Sequence, residues 1–177
     1  MVVIDSSFLL LLFYPDAGIP LKKDGSGPVP GAVERVEHLI DTLNANGETV
    51  IVPANVLAEV LVKAQGDVAG IIAALTNNYK VQVADFDVKA AIELSLMTPE
   101  RGSTEAETRA KIKFDQQILA IAKVRQAKTI YTADDKLAAR AVAQSIKSVA
   151  LEDLPMPPQD PQQKLDLSRD AGSDDAG

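Results

Sequence analysis

The chain has 177 residues, enough for one domain with a packed core and short for two. Its 46% hydrophobic content with only 4% aromatics suits a packed α/β protein better than a disordered chain. With no cysteine in the sequence, a disulfide framework, a thiolate nucleophile and a cysteine-based zinc centre are all excluded.

The net charge of -7 argues at first against a nucleic-acid partner, but the acids are unevenly distributed. Residues 152–177 hold seven acids against Lys164 and Arg169, which leaves only -2 on residues 1–151. If carboxylates of that body sit on metal ions, the rest of it is slightly positive and can accept a polyanion. The apolar run 8–13 follows Asp5 and has neither a basic leader nor a small-residue cleavage site. It is also too short to cross a bilayer, so the expectation is a cytoplasmic protein with no membrane partner.

In chain order, residues 1–4 form a β-branched run that leads straight into a buried helix or turn over 6–14. Residues 15–31 are rich in Gly and Pro and read as a long loop insertion that includes Lys22 and Lys23. The spacing of Val33, Val36, Leu39, Ile40 and Leu43 predicts a helix over 32–46, stopped at Gly47. A strand at 49–52 precedes a helix over 54–64, with Gly66 as its stop, and a further helix follows over 67–75. A third strand is expected at 80–84 and a helix at 87–96. Thr104 and Glu107 read as a capping box for a helix reaching about 126. A fourth strand at 128–131, a helix at 135–143 and a fifth strand at 148–151 complete the pattern.

Alternation of this kind predicts a three-layer α/β/α sandwich around a mostly parallel sheet of four or five strands, because parallel neighbours need helical crossovers. The domain is expected to span 1–151. Residues 152–177, acidic and containing proline, read as a disordered tail.

In open parallel sheets, functional groups collect beyond the carboxyl ends of the strands. Asp5 ends the first strand, and Asp134 follows the fourth. Glu59 interrupts the apolar stretch ANVLAEVLV, and Asp115 is embedded in KFDQQILAIA. Carboxylates gathered among core residues repel one another and persist only with a counter-charge. The lone His38 lies on a distant helix, so the donors are all oxygen, which selects Mg²⁺ or Mn²⁺ over zinc. Such ions suit phosphodiester hydrolysis by lowering the pKa of a bound water and offsetting charge on the leaving oxygen. No protein nucleophile competes, since Ser6 and Ser7 lack a neighbouring histidine and there is no G-x-S-x-G elbow.

The four segments VIDSSFLL, PANVLAEVLVK, KFDQQILAIAK and IYTADDKLA, in order over about residues 1–150, resemble the acidic motifs of PIN-domain nucleases, in particular the VapC-like toxin branch of VapBC systems. The resemblance implies that Asp5, Glu59, Asp115 and Asp134 surround the metal and that Ser7 and Thr132 orient carboxylates or bound water. Asp135 stands open as a replacement or supplement for Asp134, or as a helix cap. The loop 15–31 and the acidic tail are longer than a compact member of that family would carry.

Plainer readings stand beside these. Asp5 fits a helix N-cap, Glu59 a solvated stripe, and Asp115 an ion pair with Lys111 or Lys123. The basic residues Lys22, Lys23, Arg109, Lys111, Lys113, Lys123, Arg125 and Lys128 read either as holding an RNA backbone, with Lys22, Lys23, Lys111 and Lys113 the named candidates, or as ordinary solvated charges. The resemblance implies a metal-dependent endoribonuclease acting on single-stranded or loop RNA, with an antitoxin protein and a second copy of the chain as partners. The alternatives are a catalytically silent PIN-like module that binds RNA or protein, and a phosphotransfer domain with Asp5 as nucleophile. In a haloacid-dehalogenase-like version of the latter, Ser7 stands where a second Asp is expected.

Overall fold

The computed structural model describes residues 1–15, 18–63, 67–78, 80–97 and 109–158. Strand β1 (Val2–Ile4) runs into α1 (Ser6–Phe13), and α2 (Ala32–Ala45) leads to β2 (Val50–Pro53). Helices α3 (Ala54–Lys63) and α4 (Val68–Thr76) connect to β3 (Val81–Ala84), and α5 (Val88–Leu96) and α6 (Arg109–Val124) to β4 (Thr129–Tyr131). Helix α7 (Asp135–Ala143), β5 (Lys147–Val149) and a short 3-10 turn (Leu151–Asp153) follow.

The five strands form one parallel sheet in the order β3-β2-β1-β4-β5. Strands β1 and β2 are buried along their whole length, as strands covered on both faces must be, while the edge strands β3 and β5 are partly open. Right-handed crossovers put α1 to α4 on one face and α5 to α7 on the other. The packing of α1 against α2 and α3, and of α5 against α6, agrees with that arrangement. Successive strands run outward from β1 in opposite directions, which opens a crevice between the carboxyl ends of β1 and β4.

Several differences from the sequence reading have local causes. Asp67 and Asp87 cap α4 and α5 through their side chains, so each helix begins one residue later than the apolar pattern suggests. Strand β5 ends at Val149, because Leu151 turns inward as the first residue of the 3-10 turn. The Gly66 stop, the Thr104–Glu107 capping box and the tail from 159 onward lie outside the described residues.

The insertion is ordered over 18–31. Leu21 pairs with Pro28 in an antiparallel bridge, and Val29 is buried. The turn at the other end of the chain holds this excursion down. Lys23 pairs with Glu152 and Asp153 at 3.4 and 3.0 Å, and Arg35 donates to the carbonyls of Leu154 and Pro30. Gly31, at φ 61°, sits against Met156, where an added Cβ would come within 2.6 Å of Met156 Cε. Leu151 and Leu154 are both buried.

Ile130 lies fully buried in β4, next to the central strand. Ile130→Ala should cost about 2–5 kcal/mol of stability, read as a lower midpoint in urea denaturation. An unchanged midpoint would contradict this position for β4.

Candidate active site

Asp5 follows β1 directly and is 6% exposed. It occupies the N-cap position of α1, yet its side chain makes no capping hydrogen bond. Instead, Thr132 Oγ1 and Ser7 Oγ donate to Asp5 Oδ2 at 2.9 and 3.2 Å, and Ser6 Oγ lies 3.4 Å from Oδ1. The same two hydroxyls also receive hydrogen bonds: Ser7 Oγ from the amide of Ala133 and Thr132 Oγ1 from that of Asp134, each at 3.0 Å. The ends of β1 and β4 are thus stitched around one carboxylate. Burial raises the pKa of Asp5 more than these hydrogen bonds lower it, and Glu59 adds repulsion.

Asp115 and Lys111 are four residues apart on α6, which places them on one face of the helix. Asp115 is 4% exposed, and Arg140 Nη1 from α7 donates to its Oδ2 at 2.5 Å. Burial, then the charge of Asp134, push Asp115 up to about 6, against the pull of Arg140 and Lys111. Asp134 caps α7 by accepting the amides of Lys136 and Leu137 at 2.8 and 3.1 Å, and its other oxygen pairs with Lys111 Nζ at 2.6 Å. Partial burial acts to raise its pKa, but Lys111 and the two amides outweigh that and hold it below the usual carboxylate value.

Glu59 is the most exposed of the four acids. It makes a loose contact of 3.6 Å with Lys63 one turn along α3.

Asp5, Glu59, Asp115 and Asp134 all line one pocket of about 440 Å³, together with Lys111 and Phe114. Four acids from separate segments therefore face a common space. Asp135 lies elsewhere, on a second groove of about 420 Å³ that it shares with Lys22 and Lys23. Lys113 is exposed and lines neither. Asp115 does not take Lys111 or Lys123 as its close partner: Lys111 pairs with Asp134, and Lys123 with Glu93. Arg140, the residue that does pair with Asp115, is absent from the sequence-derived set. Its only signal is a charge beside Leu137 and Ala141 on the buried face of α7.

The donors fit a hard divalent ion, being carboxylate and hydroxyl oxygens, and two of the carboxylates are buried enough to be pushed toward their neutral form without one. Among the described residues, however, no three acidic or histidine side chains converge closely enough to hold an ion. Two of the pocket acids are instead engaged by Arg140 and Lys111.

No family model and no curated protein matches the chain. Solved structures do. A chain of the DNA-bound VapBC complex from Salmonella typhimurium superposes with a TM-score of 0.51 at 16% identity, covering 85% of this chain and 97% of that one. A chain of VapBC2 from Rickettsia felis, bound to a fragment of its promoter, gives 0.50 at 13% identity over 85% and 98%. The likeness is one of fold. The sarcin-ricin-loop-cleaving toxin VapC20 of Mycobacterium tuberculosis gives 0.48 at 18% identity over 79% and 95%.

Without an ion, folded Asp115 keeps its proton up to about pH 6, whereas an unfolded aspartate releases it near about pH 4. The folded state binds more protons across that window, so stability falls as pH rises through it. The melting temperature in EDTA should therefore decline over this range, and Asp115→Asn should flatten the decline. A melting temperature that climbs across the window would refute the assignment.

Proposed function

We propose that this chain is a divalent-metal-dependent endoribonuclease that hydrolyses single-stranded or loop RNA and serves as the toxin of a toxin-antitoxin pair. The observation that carries this reading is the meeting of Asp5, Glu59, Asp115 and Asp134 in one pocket at the carboxyl edge of a parallel sheet. Mg²⁺ or Mn²⁺ bound there would supply the acidity that ionises water near neutral pH and the charge that offsets the leaving oxygen.

The chain's own residues account for the rest. Asp5, Glu59, Asp115 and Asp134 would hold the ion, with Thr132 and Ser7 fixing the rotamer of Asp5. Lys111, half-exposed in the pocket wall, can meet a phosphate, and Lys22 offers a further contact on the adjacent groove. Lys23, committed to Glu152 and Asp153, serves the fold more than the substrate. The complexes from Salmonella typhimurium and Rickettsia felis support an antitoxin as partner, and the same reading takes a homodimer in the cytoplasm.

A second reading, a catalytically silent module that binds RNA or protein, draws support from the two acids already neutralised by Arg140 and Lys111. Incubation with labelled single-stranded RNA and Mn²⁺ separates the two. Cleavage by the natural chain, lost in EDTA and in Asp5→Asn, is the expected result, whereas binding without cleavage would establish the silent module. Thr132→Val removes a hydroxyl from Asp5 while keeping the side-chain shape, and should lower the cleavage rate by roughly 10–100-fold.

A further inference from the structure

The turn from β4 into α7 serves two depressions. Asp134 lines the acidic pocket, while its neighbours Ala133 and Asp135 line the second groove, so the two spaces adjoin across a few residues. The excursion at 20–29 and the turn at Leu151 supply the rest of that groove. Its shape is set before any ligand arrives. Lys23 is paired with Glu152 and Asp153, and the amides of Lys22 and Val29 donate across the excursion to Gly27 and Pro20, each at 2.9 Å. The lining includes the buried apolar residues Val29 and Leu151, and the volume is about 420 Å³. A preformed, largely apolar hollow with a few polar groups is the usual form of a small-ligand site.

Of the four charged residues in the groove, Lys23 and Glu152 satisfy each other. The other two are uncommitted. Lys22 forms no ion pair among the described residues, although Asp24 feels its charge. Asp135, in the first turn of α7, accepts no hydrogen bond and has no cationic partner among those residues.

We infer that this groove is a subsite for a nucleotide flanking the scissile bond, and that Lys22 and Asp135 make it selective for guanine. The inference rests on the nuclease reading, since a strand held in the acidic pocket reaches the groove by crossing the β4–α7 turn. The apolar lining takes the flat base, and the Lys22 ammonium meets a phosphate. An ionised carboxylate only accepts hydrogen bonds, and it does so through two oxygens. Guanine is the RNA base with two N–H donors side by side on its Watson–Crick edge, so it alone can engage both oxygens of Asp135 in a charge-assisted pair. Uracil would present carbonyls to the same negative charge.

The four ribonucleoside 5′-monophosphates, titrated in EDTA into the full-length chain and followed by amide NMR shifts, test the groove without any cleavage. Guanosine monophosphate should bind tightest and move the amides of Ala133, Asp135 and Leu151. Asp135→Asn should weaken it by about tenfold, to the level of the others, whereas Lys22→Gln should weaken all four alike. With Mn²⁺ and labelled single-stranded RNA, cuts should cluster beside guanines, and Asp135→Asn should scatter them. Equal affinity for the four nucleotides, shifts confined to the acidic pocket, or cut sites unchanged by Asp135→Asn would overturn the subsite and leave the nuclease reading intact. Guanine-selective binding with no cleavage in Mn²⁺ would leave a guanine site standing and overturn the nuclease reading.

Discussion

The cost of holding several negative charges at one poorly solvated place is the constraint to which the centre of this molecule answers. Each of the four pocket acids meets it in a different way. Asp5 is surrounded by hydroxyls, Asp115 by a guanidinium, Asp134 by helix-start amides and an ammonium, and Glu59 by partial contact with water. The outcome is graded electrostatics within a single cavity: Asp134 is held below the ordinary carboxylate value, while Asp5 and Asp115 are held above it.

Topology makes the concentration possible. Because the chain leaves β1 in one direction and returns to build β4 on its other flank, residues 127 positions apart end side by side. Thr132 and Ser7 work as a bracket there, each accepting a backbone amide while donating to Asp5. Their effect is to convert strand pairing, a feature of the fold, into a fixed carboxylate rotamer, a feature of the site. Asn55 adds a further link by donating to the carbonyl of Phe114, so that the helix of Glu59 is tied to the helix of Asp115.

The sequence made the sheet and most helices legible because both rest on local signals. Fully buried strands such as Val2–Ile4 are uninterrupted β-branched runs, and Val33, Val36, Leu39 and Leu43 repeat with the helical period. The shared pocket was also within reach, since acids such as Glu59 and Asp115 break apolar patterns that would otherwise be continuous. Arg140 was not, because an arginine on a helix ordinarily reads as solvated surface, and its partner Asp115 lies 25 residues back on the neighbouring helix α6, beyond the reach of a local pattern. Nor could local patterns distinguish Asp134 from its neighbour. The choice depends on which of two adjacent side chains the α7 turn directs into the pocket, and there Asp135 falls on the second groove. The inward turn at Leu151 was missed for a related reason: its partners, α2 and the excursion at 20–29, are remote in sequence.

Asp134 combines two duties in one side chain, and that limits how its role can be dissected. One oxygen starts a helix and the other supplies charge, so truncation to alanine removes both and mixes about 1 kcal/mol of lost helix initiation with any chemical deficit. Asparagine keeps an oxygen for the amides while discarding the charge. A family of such chains could therefore exchange Asp for Asn at this position and keep the start of α7 while shedding the charge in a single step.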